Sequence, residues 1–273
     1  LISFINYNQD IDIVRSIRRN FMLFNSFSFL VFFIIVSVLF FILPHKVRWI
    51  LLLTASCIFY MAWNPALIVL IGFTIIVNYI AAIRIYNSRR KQRKRKILTV
   101  CLLINFGLLF VFKYLGFMNS TVLAIADKLN LNWPVKAINI ILPMGISFYT
   151  FQATGYTIDV YRNKIKPEKH FGIYALFVMF FPQLVAGPIE RSENLLPQFY
   201  EKHRFDFKRI ISGIRIMFWG FFKKIVIADR AAVAVNTIYN SASSYKGLYL
   251  FIATLLFTFQ IYCDFSGYSD MAI

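Results

Sequence analysis

The chain is short of acids, of charge in general and of cysteine. Asp and Glu number 12 against 30 Lys and Arg in 273 residues, and charged residues of both signs make up 15%. A soluble domain carries nearer a quarter charged residues, so an ordinary water-facing surface is excluded. Cys57, Cys101 and Cys263 lie in or at the end of apolar stretches without C-x-x-C spacing. That excludes a disulfide framework and indicates no metal site. There is no H-E-x-x-H pair, Walker loop, G-x-S-x-G elbow or dinucleotide fingerprint, so the common hydrolase and nucleotide chemistries find no anchor. Histidine is the natural general base near neutral pH. The three present, His45, His170 and His203, stand in charged loop contexts and read as surface residues.

What the chain has is apolar. Hydrophobic residues reach 59%, aromatics 18%, phenylalanine 31 copies, and the mean hydropathy is +0.64. The expected fold is an all-α polytopic membrane helical bundle with a re-entrant segment and interfacial amphipathic helices. The net charge of +18 would suggest nucleic acid in a soluble protein. Here the cations cluster between apolar spans, as the positive-inside rule demands, and no nucleic-acid partner is expected.

Residues 1–21 contain Asp10, Asp12, Arg15, Arg18 and Arg19 and no Met. They read as an upstream extension outside the fold, with one domain over 22–273. Apolar spans are expected at 27–43, 49–63, 66–83 and 97–112. The run 89–96 is basic at every position but Gln92. It is assigned to the cytoplasm, and it could also bind anionic lipid. Residues 113–139 then form an external segment, and 140–158 a crossing broken early by Pro143 and Gly145. The stretch 171–186 contains Pro182 and is flanked by cations on both sides. It reads as a re-entrant segment lining a cavity open to the cytoplasm, a plain crossing being the alternative. Lys208, Ser212, Arg215, Trp219 and Lys223 fall at helical spacing and make a basic stripe, suited to an interfacial or cavity-lining helix. A last span covers 248–263.

Polar groups inside a membrane are costly and are functional candidates by default. Four clusters stand out. The first, within 143–152, holds Ser147, Tyr149, Thr150 and Gln152. The second places Gln183 and the neighbours Glu190 and Arg191 among Pro182, Gly187 and Pro188. The third is Lys223 and Lys224 with Asp229 and Arg230, whose lysines are expected to snorkel to the interface. The fourth, Asp264, Ser266, Tyr268 and Asp270, ends an apolar helix pattern.

Three stretches carry a resemblance. Leu-Pro-Met-Gly-Ile-Ser-Phe-Tyr-Thr-Phe-Gln opens at Leu142, Phe-Pro-Gln-Leu-Val-Ala-Gly-Pro-Ile-Glu-Arg at Phe181, and Asp-Phe-Ser-Gly-Tyr-Ser-Asp at Asp264. With the segment from Phe222 to Arg230 and the opening at Met22, they resemble the membrane-bound O-acyltransferases, most closely the bacterial alginate O-acetyltransferase branch. The resemblance runs in order from Met22 to the end. It implies transfer of an acyl group, expected to be acetyl, from the cytoplasmic side of a bacterial inner membrane to hydroxyls of an extracytoplasmic polysaccharide. The donor is expected to be acetyl-CoA or another acyl thioester, with no bound cofactor. Membrane lipid, the polysaccharide acceptor and an extracytoplasmic acyltransferase or acyl carrier are the expected partners.

The resemblance also implies a catalytic histidine in a Trp-Arg-Arg-Trp-His-like motif after the Asp-Phe-Ser-Gly-Tyr-Ser-Asp segment. The chain stops before any such motif. It is expected to be an incomplete and inactive piece, and no catalytic role passes to its own histidines. Gln183, Glu190, Arg191, Asp264, Tyr268 and Asp270 are the candidates for lining or bracing the tunnel. The alternative of another class is a transporter or channel, which also uses intramembrane acids and broken helices.

Overall fold

The computed structural model describes residues 22, 24, 26–129, 142–184, 187–188 and 190–273, with the side chain of residue 124 excepted. The expected extension at 1–21 lies outside these. Among the described residues the protein is all helix and turn. Helix α1 is Phe27–Ile42, α2 His45–Met61, α3 Ile68–Asn87 and α4 Lys91–Lys128. Then follow α5 Ile146–Tyr161, α6 Phe171–Met179, α7 Phe181–Leu184 and α8 Ser192–Gln198. The last three are α9 Phe207–Phe221, α10 Asp229–Asn240 and α11 Gly247–Ala272. Three stretches are long and apolar enough to cross a membrane: Pro65–Asn87, Lys91–Lys128 and Gly247–Ala272. Phe27–Ile42 is a shorter apolar helix. The bundle is thus the all-α membrane architecture expected from composition.

The helix starts follow local chemistry. The Ser26 side chain accepts from the Phe29 N–H, and Asp206 accepts from the N–H groups of Lys208 and Arg209, each satisfying donors that a helix end leaves open. Three expectations about helix ends are corrected. The basic run is helical from Lys91 onward, and the expected external segment is helix as far as Lys128. Lys, Arg and Gln are good helix formers, and no proline interrupts 91–128. At about 1.5 Å per residue α4 is roughly 57 Å long, well beyond a bilayer core of about 30 Å. Likewise His45, Lys46 and Arg48 form the first turn of α2 rather than a loop, with Pro44 at its N-cap.

The segment that follows α5 climbs beside α2 and comes back. At its start His170 caps α6 and lies edge-on to Trp49, with ring centroids 4.7 Å apart. At its middle the Phe181 N–H donates to the Ser56 hydroxyl at 3.1 Å. At its end Glu201 O takes a bond from His45 Nε2 at 2.9 Å, and His203 O takes one from Arg48 Nη1 at 2.7 Å. Both ends therefore meet the first turns of α2, while the middle stands some two to three turns higher. With nine residues, α6 is about 14 Å long and too short to cross a bilayer. This is the re-entrant path read from Pro182 and the two basic flanks.

A second break meets the first. Gly145 sits in the left-handed region at φ 70°, just before α5. A Cβ there would lie 2.1 Å from Leu184 O. Only glycine allows both the backbone angle and the approach. Around these breaks one apolar cluster gathers Ile71, Ile75, Tyr149, Tyr156, Tyr174 and Phe177. A second gathers Phe24, Phe29, Phe59, Phe181 and Met271, tying α1, α2, α7 and α11 together.

Candidate functional site

The chain from α9 through α10 runs antiparallel to α11. Tyr239 and Thr254 meet at one level and Gly220 and Gly267 at another. At the second level the backbones nearly touch. A Cβ on Gly220 would lie 2.6 Å from Gly267 O, and one on Gly267 would lie 2.8 Å from Gly220 O. Directly after this crossing the helix widens to a π turn over Phe222–Ala228, where the Asp229 N–H bonds to Lys224 O five residues back. Such widened turns are rare and recur at functional sites.

The close crossing and the widened turn present two neighbouring lysines to α11. Lys223 Nζ lies 2.5 Å from Asp270 Oδ2 and donates to Ser266 Oγ at 2.6 Å. Lys224 Nζ lies 2.6 Å from Asp264 and 2.9 Å from Asp229, and 5.4 Å above the Tyr268 ring. The α11 partners divide by four-residue spacing. Ser266 and Asp270 face Lys223, while Asp264 and Tyr268 face Lys224, as helix periodicity allows. The lysine side chains are only 14% and 15% exposed. Snorkelling, expected for this pair, is corrected. An ammonium group flanked by carboxylates needs no route to water, and its partners would be left charged and unpaired if it took one.

A cavity of about 610 Å³ lies between this helix pair, α1, α2 and the re-entrant segment. Phe24, Phe29, Phe33 and Phe181 supply its apolar wall. His45, Arg48 and His203 stand at one end. Asp270 and Met271 line it as well, and Met271 belongs to one cluster with Phe59 and Phe181, the former about three to four turns up α2 from that end. Glu201 lines the same end, so the cavity leads from a polar mouth toward Asp270 of the Lys223–Asp270 pair. His45 and His203 are mouth residues rather than free surface histidines. His203 Nε2 lies 3.1 Å from Gln198 O, so each ring is tied to a backbone carbonyl. Beside the mouth Tyr200 donates to Glu168 at 2.9 Å. Burial and that carboxylate push the Tyr200 hydroxyl up to about 12.

The remaining candidates divide. Gln183 is buried, and its Oε1 accepts from Gln152 Nε2 at 3.1 Å, while Gln152 also donates to Phe177 O at 2.8 Å. The first two sequence clusters thus meet in one bond that fastens the re-entrant segment to α5. Gly187 stands close to Ala272 of α11, a Cβ there falling 3.3 Å from Ala272 Cβ. Glu190 is half-buried and Arg191 exposed at the start of α8, and neither makes an ion pair with another described residue. One buried polar knot escaped sequence reasoning. Asn78 Nδ2 donates to Asn105 at 2.9 Å, and Thr157 donates to Asn78 Oδ1 at 2.8 Å, locking α3, α4 and α5 together. Its signal is two lone Asn residues in apolar helices.

Relatives were found by comparison with known proteins. The chain is 34% identical, over 96% of its length and 55% of the relative, to a peptidoglycan O-acetyltransferase of Helicobacter pylori. It is 35% identical, over 92% of its length and 50% of the relative, to a probable alginate O-acetylase AlgI of Azotobacter vinelandii. The chain belongs to the membrane-bound O-acyltransferase family. A more distant O-acyltransferase relative, a teichoic acid D-alanyltransferase of Streptococcus thermophilus, is 26% identical over 48% of the chain and 32% of its own length. No protein-family model matches the chain. As a member of this O-acyltransferase family, the chain spans about half the length of the first curated relatives it matches.

Proposed function

We propose that the protein is an O-acyltransferase that moves an acyl group, in the first instance acetyl, across a bacterial inner membrane to hydroxyls of an extracytoplasmic polysaccharide. One observation carries the reading beyond family membership. An apolar cavity of about 610 Å³, with the polar groups of His45, Arg48, Glu201 and His203 at one end, leads past the segment that returns along α2 toward a shielded charge cluster. In this reading the mouth at His45, Arg48 and His203 faces the cytoplasm together with the 89–96 run. An acyl thioester such as acetyl-CoA is the donor. Its acyl end runs along the phenylalanine wall, which excludes water and so protects the thioester from hydrolysis.

The reaction balances simply. The acceptor hydroxyl gives up its proton to a general base, its oxygen bonds to the acyl carbon, and the carbon–sulfur bond breaks with release of the thiol. Asp270 and Lys223 set the inner end of the cavity, Tyr268 and Asp264 brace it, and the Gln152–Gln183 bond holds the re-entrant wall in place. The general base is not assigned to a residue of this chain.

The test is complementation. A strain lacking the gene is supplied with the full-length protein or with Asp270→Asn, and ester-linked acetate on its envelope polysaccharides is measured at matched membrane expression. Loss of acetate on deletion, restoration by the wild type and a reduction of about tenfold or more in the variant are expected, the effect of removing a well-placed polar group. Unchanged acetate on deletion would sink the reading.

A further inference from the structure

We infer that the end of the bundle formed by the α3–α4 turn and the α5–α6 loop is a binding surface for anionic phospholipid headgroups. Every residue from 89 to 96 except Gln92 is Lys or Arg, and the run falls on the turn and the first turns of α4. Among the described residues no acid pairs with it. The first turn of α4 holds no acid, its N-cap Arg90 gives no side-chain cap, and no ion pair among the described residues involves 84–96. The cations also sit at the positive end of the helix dipole, where anions are favoured and cations are not. The stretch is mostly exposed. The folded protein thus holds like charges together at a helix end that itself attracts anions.

The surface is wider than the sequence run. Tyr79 of α3 donates to Lys169 O at 2.6 Å, and Thr157, in the last turns of α5, bonds to Asn78 of α3, so both helices run on toward the same end. The loop bearing Arg162, Lys164, Lys166 and Lys169 therefore shares this end of the bundle. Two acids border it, Asp159 in the last turn of α5 and Glu168 in the loop, against these four cations. Asp159 lies 3.9 Å from Lys164, and Glu168 accepts from the Tyr200 hydroxyl and the His170 N–H.

The occupant follows from what lies directly below. Helices α3 and α4 both belong to stretches long and apolar enough to cross a membrane. Next to the cations they expose Tyr86, Val100 and Leu103. An amphiphile whose anionic head meets the cations and whose chains lie along these apolar side chains matches both halves. A soluble acidic protein would match the charge and leave the apolar half unused. The inference needs the membrane-spanning fold alone and does not depend on the acyl-transfer reading.

Purified protein in nanodiscs of equimolar phosphatidylcholine and phosphatidylglycerol, analysed by native mass spectrometry after extraction, reads out retained lipid. Phosphatidylglycerol retained over phosphatidylcholine by about fivefold or more is expected, falling toward parity in R89Q/R90Q/R93Q/R95Q. Because neutralising these residues can disturb insertion, the wild type is also footprinted with an amine-reactive reagent. Lys91, Lys94 and Lys96 are expected to be protected in phosphatidylglycerol discs relative to phosphatidylcholine discs, and to lose that protection at about 0.5 M salt, where screening is short-ranged. Equal retention of the two lipids, undiminished preference in a correctly inserted variant, or lysines equally reactive in both discs would overturn it.

Discussion

Lys223 and Asp270 meet at 2.5 Å across the closest approach of α9 and α11, one turn from the Gly220–Gly267 contact. The pair is mostly shielded, at 14% and 21% exposure, so breaking it from one side leaves a charge without a partner. Asp270→Asn is expected to destabilise the detergent-solubilised protein by about 3 kcal/mol, the lower end for a buried pair. Adding Lys223→Met should recover much of that loss, since two neutral groups are easier to bury than one charge. Thermal unfolding of the single and double variants by size-exclusion chromatography checks this. A double variant no more stable than the single would refute the pairing.

The glycine crossing makes a sharper contrast. Gly220→Ala places a methyl 2.6 Å from a backbone carbonyl that cannot move aside. A cost of about 1–3 kcal/mol is expected. Gly107→Ala, in α4 with nothing within 4 Å, should instead stabilise by up to about 1 kcal/mol through helix propensity. Melting temperatures shifting in opposite directions are the expected result, and equal shifts would contradict the close packing of α9 on α11.

The Asn78–Asn105 bond joins α3 to α4 in the interior. Asn78→Ala and Asn105→Ala should each cost about 1–3 kcal/mol, because each removes the shared bond, and Asn78→Ala also leaves Asn105 Oδ1 and the Thr157 hydroxyl without that partner. Their effects should fall short of additivity by about 0.5 kcal/mol or more. A double-mutant cycle on unfolding in detergent measures the shortfall, and strict additivity would argue that the amides do not meet.

Arg48 holds the returning end of the re-entrant segment through His203 O. Arg48→Gln is expected to raise amide hydrogen exchange over 192–203 by about tenfold, the effect of losing roughly 1.4 kcal/mol of local protection. Exchange over α1 should be unchanged. A uniform increase across the protein would point to global destabilisation instead.

The features legible in sequence were those carried by local pattern. The all-α membrane class follows from composition, and the re-entrant path from Pro182 between two basic flanks. Asp264 and Asp270 stood out because acids are rare in an apolar helix. What escaped depends on pairing at a distance. Lys223 and Ser266 are 43 residues apart, and a lysine seen without its carboxylates looks like one that reaches for water. Asn78 and Asn105, 27 apart, each stand alone in an apolar helix, so neither points to the other in sequence. Helix ends shifted for a different reason. Lys and Arg mark the edge of a membrane but extend a helix well, so α4 runs through both edges at which its spans were expected to stop.

The mouth and the inner wall of the cavity hang from one element. Helix α2 carries His45 and Arg48 at its foot and Ser56 at the level of Phe181, so the re-entrant segment is fastened to it at both its low end and its summit. Any widening that admits a bulky guest then falls to the opposite wall, where α9 and α11 stand. There the Gly220–Gly267 contact leaves no room for a side chain, so anything larger at either position would part the two helices.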